Sequence, residues 1–268
     1  MSTSPLIAVD IGNARIKCGL FRPGQSNALP EPERTLHLAG GALAADQLAS
    51  WLEEIGEGQL WWWIGSVNRP STTRLLDWLR ARRPADPVTL LAAGDLPLAG
   101  KVERPDMVGV DRLLDAVAAN RLRAAKRPAV VIDVGTATTV DAVSVEGAFL
   151  GGAIVPGLQM SARAMHQFTE LLPLIEFTEL ITPPPAVGTS TIAAMQSGLF
   201  WGAVGGIREL IEQFAKDFHR RPRVFLTGGA GPVVAELLGP DARYIPHLTL
   251  AGIAIAAASL APKGGDRG

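Results

Sequence analysis

Four short stretches of this chain carry residue types that could do chemistry on a phosphate. The first is Asp10-Ile11-Gly12-Asn13, with Lys17 farther along. A tight hairpin there turns backbone N–H groups toward one spot, which suits phosphate oxygens. Asp10, at a strand end, could position a hydrated divalent ion beside those oxygens, and Lys17 could add a positive charge. Taken alone, the same residues describe an ordinary hairpin with a solvated carboxylate. The second stretch, Asp133-Val134-Gly135-Thr136, repeats the plan and adds the hydroxyls of Thr136 and Thr138, with Asp141 as a polar partner on the sheet. The third, Leu226-Thr227-Gly228-Gly229-Ala230-Gly231, ends a strand in paired glycines, where an adenine or ribose can lie against bare backbone. Together the three point to ATP. No Gly-x-x-x-x-Gly-Lys loop occurs, and no strand-following Gly-x-Gly-x-x-Gly, which excludes a P-loop and argues against a dinucleotide site.

The fourth stretch, Gly109-Val110-Asp111-Arg112, suits transfer to an alcohol. Asp111 could accept the hydroxyl proton while Arg112 holds an anionic group. Asp is also a preferred helix cap, and position alone favours that reading.

The elements that must hold these residues fall into two similar halves. Leu6–Leu20 and Ala129–Val143 both read as strand, Asp-x-Gly turn, strand. In the first half, strands are expected at Leu6–Asp10, Ile16–Phe21, Arg34–Leu38, Leu60–Val67 and Val88–Leu91. Helices are expected at Leu43–Ile55, Thr72–Arg83 and Asp111–Ala124. The second half starts over with strands at Ala129–Val134, Thr139–Val145 and Gly147–Ile154, then helical spacing over Gly157–Leu172 and Thr191–Phe218. A strand at Arg223–Thr227, a helix at Pro232–Leu238, a strand at Ala242–Ile245 and a closing helix at Leu248–Leu260 complete it. Such a duplication predicts an α/β fold of two ribonuclease-H-like lobes, as in the actin, hexokinase and acetate-kinase superfamily, with a cleft between them. The boundary is expected near Ala124–Pro128, giving lobes at 1–126 and 127–268.

Composition narrows the class. Of 268 residues 47% are hydrophobic and 19% charged, with a net charge of −1, so the chain is globular and no basic stripe invites nucleic acid. The arginines at Arg80–Arg83 and Arg220–Arg223 close helical patterns, where cations favour the dipole. Cys18, the only cysteine, excludes an intramolecular disulfide and fits a reducing, cytoplasmic compartment. A first strand at Leu6 leaves no expected room for a signal peptide, and the apolar run near Ile245–Leu260 is too interrupted to span a bilayer.

Along nearly its whole length the chain resembles the type III pantothenate kinases. The matching pieces are Asp10-Ile11-Gly12-Asn13 with Lys17, Gly109-Val110-Asp111-Arg112 and Ile132-Asp133-Val134-Gly135-Thr136-Ala137. Gly151-Gly152-Ala153-Ile154-x-Pro156-Gly157, Thr191 with Ser197-Gly198, and Thr227-Gly228-Gly229 complete the set. The resemblance implies transfer of the ATP γ-phosphate to the primary hydroxyl of pantothenate, the opening step of coenzyme A synthesis. It implies Asp111 as the proton acceptor, with pantothenate held by Gly109, Val110, Asp111, Arg112 and Thr191. It assigns ATP to Asp10, Ile11, Gly12, Asn13, Ala14, Arg15, Ile16, Lys17, Thr136, Gly228 and Gly229, with Mg2+ accompanying it. Asp133 would hold K+ or NH4+, and the protein would be a homodimer, with the glycine-thinned Gly198–Gly206 face one candidate contact. Two positions depart from the family pattern. Ala14 stands where a Thr or Ser is usual, so ATP binding is expected to be weakened rather than abolished. Val102 stands where many members carry a tyrosine that touches pantothenate. The rival readings are a kinase of this fold acting on another small alcohol, which Val102 leaves open, and a nucleotide-binding regulatory protein without catalysis, which Ala14 leaves open.

Overall fold

The computed structural model describes residues 5–22, 29–41, 43–56, 58–176 and 182–260. In chain order the first elements are β1 (Leu6–Ile11), β2 (Arg15–Phe21), β3 (Arg34–Ala39), α1 (Ala45–Ile55), β4 (Trp61–Ser66), α2 (Arg69–Arg82), β5 (Val88–Leu90) and α3 (Val110–Leu122). There follow β6 (Ala129–Val134), β7 (Ala137–Val143), β8 (Phe149–Pro156), α4 (Leu158–Gln167) and α5 (Thr191–Lys216). The chain ends with β9 (Arg223–Thr227), α6 (Gly231–Leu238), β10 (Ala242–Tyr244) and α7 (Leu248–Leu260). Two short 3-10 turns, Ala93–Asp95 and Pro105–Met107, lie between β5 and α3.

The duplication is visible in the sheets. One runs β3-β2-β1-β4-β5 and the other β10-β9-β6-β7-β8. In each, a strand, its hairpin partner and a third strand pair antiparallel; on the other side of the first strand a fourth joins it in parallel, and a fifth joins the fourth in parallel. The five-strand order and the pattern of strand directions are therefore the same in both, as the repeated strand–turn–strand segments predict.

In the first unit, side-chain alternation divides the two faces of the sheet. Ile7, Val9 and Ile11 of β1 join Ile16, Cys18 and Leu20 of β2 and Trp62 and Ile64 of β4 in one core with α1 and α2. The intervening residues face α3 and α7: a side chain at Gly19 would touch Leu250, and one at Gly65 would meet Leu114 and Ile253. The Trp61-Trp62-Trp63 run is compatible with a central strand because Trp62, fully buried, donates its indole N–H to Asp86 at 3.0 Å. Asp86 is in turn held by Arg83 and accepts the Leu60 N–H. In the second unit, Val130, Ile132 and Val134 of β6 pack with α4, α5 and α6.

The chain divides into two compact units, one up to Leu122 plus the residues from His247 on, the other Arg123–Pro246. This differs from division at 126 by the closing helix: α7 packs on α3 and β1, and Leu248, Leu250 and Ile253 are fully buried there. α2 begins at Arg69, ahead of the expected Thr72, since Pro70 is tolerated in a first turn where Asn68 caps the Ser71 N–H. α4 ends at Gln167, short of Leu172, and Thr169 turns its hydroxyl back onto the Met165 carbonyl at 2.6 Å. No helix among the described residues is long and apolar enough to cross a membrane.

Candidate active site

In the first unit the site begins with strand register. Asp10 of β1 lies opposite Lys17 of β2, and Lys17 Nζ reaches Asp10 Oδ2 at 3.4 Å. The turn between them is closed by the Gly12 N–H donating to the Arg15 carbonyl at 3.0 Å. Asn13, Ala14 and Arg15 are exposed on it, Ile11 and Ile16 are buried, and Lys17 is half-buried. The Ala14 carbonyl accepts the Gly40 N–H at 2.8 Å, so the turn is braced from β3.

α3 brings the second carboxylate to this place. Asp111 sits in its first turn, where Asp111 Oδ1 accepts the Arg112 N–H at 2.8 Å. The capping reading is thus met in part: one oxygen, Oδ1, serves the helix start. A side chain on Gly109 would run into Asp111 Oδ1 at 2.5 Å, so glycine is what lets this carboxylate turn back. Burial raises the Asp111 pKa above the ordinary carboxylate value, opposed by the Arg112 N–H, the Arg112 charge and Lys17. Burial also raises Asp10, against the pull of Lys17 and with the push of the Asp111 charge. Asp10, Lys17 and Asp111 therefore form one electrostatic group. Cys18, next to Lys17 in sequence, faces the opposite core, and burial pushes its thiol up to about 12, which removes it as a nucleophile.

Beside Gly109 and Val110 a cavity of about 540 Å³ opens, walled by Ser66, Val67, Gly94, Asp106 and Met107 among others. Its size suits a small organic substrate. Val102 is half-buried between the two 3-10 turns and is not among its walls.

In the second unit, Asp133 of β6 lies opposite Thr139, so the position matching Lys17 carries no cation. Gly228 has φ 88°, and an added Cβ there would collide with Asp133 Oδ1 and come to 2.6 Å from the Val134 carbonyl. The paired-glycine turn is thus laid directly over the Asp133 turn. Thr136 is exposed, its carbonyl accepting the Gly157 N–H at 3.1 Å, whereas the Thr138 side chain is buried. Gly229 is exposed next to Gly228. Thr191 is the exposed first residue of α5, behind the Ser190 cap, and Ser197 donates to the Ala186 carbonyl at 2.7 Å. The glycine-thinned side of α5 is open: side chains added at Gly198, Gly202, Gly205 or Gly206 would meet no described residue within 4 Å.

No sequence motif joins His37 to His247. The structure sets them side by side, with ring centroids 6.0 Å apart. The Lys17–His37 pairing across β2 and β3 follows from register, but nothing in the sequence indicates that α7 returns to the first unit.

Comparison with known proteins gives the family. The family model for type III pantothenate kinase matches residues 6–213. A type III pantothenate kinase of Dehalococcoides mccartyi strain CBDB1 is 35% identical over 260 residues, covering 94% of this chain and 95% of its own. Another, from Paramagnetospirillum magneticum, is 35% identical, covering 92% and 95%. Among solved structures, the ethanolamine utilization protein EutJ of Carboxydothermus hydrogenoformans aligns with TM-score 0.52 at 15% identity, over 95% of this chain and 90% of its own. A propionate kinase of Francisella tularensis aligns with TM-score 0.51 at 13% identity, over 94% and 98%. At those identities the structural likeness carries the fold alone, the duplicated actin-like α/β architecture, and the sequence relatives carry the rest. The chain belongs to the type III pantothenate kinase family.

Proposed function

We propose that this protein transfers the γ-phosphate of ATP to the primary hydroxyl of pantothenate, forming 4'-phosphopantothenate for coenzyme A synthesis. The observation that carries the reading is the Asp10–Lys17–Asp111 group, in a chain of this family, beside a cavity of substrate size. Phosphoryl transfer needs positioning and charge neutralisation more than covalent chemistry, and these residues supply both.

Asp111 is the general base. Its Oδ1 is fixed by the Arg112 N–H, which leaves Oδ2 to take the hydroxyl proton. A pKa raised by burial makes that transfer easier than to an ordinary surface carboxylate. Gly109, Val110 and Arg112 hold pantothenate with Asp111, and Thr191 joins them as the substrate-binding threonine; Val102 takes the position of the family's tyrosine. ATP is assigned to Asp10–Lys17 in the first unit and to Thr136, Gly228 and Gly229 in the second. Lys17 neutralises phosphate charge, and Asp10 would hold the Mg2+ that accompanies ATP, which would offset further phosphate charge.

Asp133 is assigned to a monovalent cation, K+ or NH4+. The donor chemistry fits: its carboxylate and the Val134 carbonyl converge on the point that a Gly228 side chain would fill, an all-oxygen cradle. The bound ion would offset phosphate charge near that turn. The protein is assigned to the cytoplasm, where a lone thiol stays reduced, and to a homodimer, for which the open glycine side of α5 is available.

Val102 favours one alternative, a kinase of the same fold acting on another small alcohol. The test is ATP-dependent phosphorylation of pantothenate and of a panel of other small alcohols, with and without K+ or NH4+. Turnover of pantothenate that needs the cation is expected. Turnover of another alcohol alone would replace the substrate, and nucleotide binding without any turnover would replace the activity with a regulatory role.

A further inference from the structure

Lys17 is the middle of a longer row. Register places Asp10 of β1, Lys17 of β2 and His37 of β3 side by side, and Gly65 of β4 on the other flank of Asp10. Residues in such a row share one face of a sheet, and here it is the face covered by α3 and α7. α3 delivers Asp111 to this row, and α7 delivers His247. The His37 and His247 rings meet edge to face at 62°. His247, whose carbonyl accepts the Ala251 N–H, is held at φ 57°, a backbone that residues other than glycine rarely adopt. Such strain is concentrated at functional positions. His37 is exposed and His247 half-buried, so an anion arriving at Lys17 can reach both rings.

The surroundings of the pair are cationic. Burial holds His37 below its ordinary value, and Lys17 and Arg15 of β2 lower it further. Burial likewise lowers His247, joined by His37 and Lys17. The nearby carboxylates, Asp10 of β1 and Asp111 of α3, act on Lys17 and on each other. Both rings are therefore neutral at neutral pH in the free protein, and a polyphosphate docking at Lys17 reverses the sign of the local field.

We propose that His37 and His247 are additional phosphate-binding residues, which take a proton from solvent as the nucleotide docks at Lys17 and then hold its phosphates as cations. The inference rests on the assignment of ATP to Asp10–Lys17. It deepens that assignment by making nucleotide binding proton-linked.

The experiment is calorimetric titration of Mg-ATP into the full-length protein near pH 7, in two buffers of different ionisation enthalpy. Wild type is compared with the double variant His37→Gln/His247→Gln and with His37→Gln alone. A terminal phosphate titrates near pH 6, so the difference between proteins, rather than the absolute uptake, carries the result. Wild type is expected to take up on the order of one more proton per nucleotide than the double variant. From about pH 6 to about pH 8 the KM for ATP should rise roughly three- to tenfold more in wild type than in the double variant, with the KM for pantothenate unchanged. Equal proton uptake and equal pH profiles in the two proteins would overturn the inference while leaving the ATP site intact. Nucleotide binding by neither protein would instead overturn the site assignment. Should the double variant fail to fold, His37→Gln, exposed on the edge strand β3, must still reduce the uptake; unchanged uptake in that variant overturns the inference equally.

Discussion

A single methyl group, where the resemblance leads one to expect the hydroxyl of a Thr or Ser, makes Ala14 the most informative departure on the first turn. Ala14 is exposed on the first turn, and its carbonyl is anchored by the Gly40 N–H, so the backbone needed for a phosphate contact is already in place. Only the side-chain donor is missing. Ala14→Ser should therefore lower the KM for ATP about three- to tenfold, the worth of one ordinary solvent-exposed hydrogen bond, with kcat within about twofold of wild type. Steady-state kinetics with ATP as the varied substrate checks this. Three carboxylates show how residues of one type meet different surroundings. Asp10 is buried against Lys17, Asp111 is buried with one oxygen on the Arg112 N–H, and Asp133 lies under Gly228 without a lysine opposite. The sequence reveals the type and spacing of all three. It does not show which oxygen of Asp111 is spoken for, because that depends on how α3 starts.

Among the elements, α7 carries the largest surprise. Its sequence, Leu248–Leu260, is apolar on every side, as expected of a helix buried all round, and its residues from Leu248 to Ala257 are indeed buried. What the pattern does not reveal is which unit it is buried in. Gly252 lies so close to α3 that a side chain there would collide with the Leu114 carbonyl, so α3 and α7 must be formed together over the β1–β4 face. A chain cut after Pro246 should therefore lose the first unit. Far-UV circular dichroism and limited proteolysis should report residues before Leu122 as unfolded, although none has been removed. Survival of a protected N-terminal fragment would show that α7 is an accessory. The same return of the chain explains why His37 and His247 were not legible as a pair, while the Asp10–Lys17 pairing was: a hairpin is local, and the docking of a closing helix is not. Helix ends were misread where one residue overrules the pattern, as with Pro70 admitted to the first turn of α2.

At the scale of the whole molecule, two sheets of identical strand order carry different equipment. The first unit holds Asp10, Lys17 and Asp111 and the substrate-sized cavity; the second holds Asp133 beneath the Gly228 turn and the exposed Thr136. The two sheets share a frame and differ at matched positions, Lys17 against Thr139. In the proposed reaction the carboxylate at the start of α3 takes the substrate proton. Since burial raises its pKa, the base is lost to protonation at a higher pH than an ordinary carboxylate, and wild-type kcat should fall as pH drops through that raised value. The direct measurement is kcat for pantothenate phosphorylation in Asp111→Asn. The variant keeps an oxygen for the Arg112 N–H and gives up a buried charge, so its Tm should match or exceed wild type. Its kcat should fall by roughly 10²- to 10⁴-fold with ATP affinity retained. A variant that folds, binds ATP and turns over within about tenfold of wild type would contradict the assignment of Asp111 as the base.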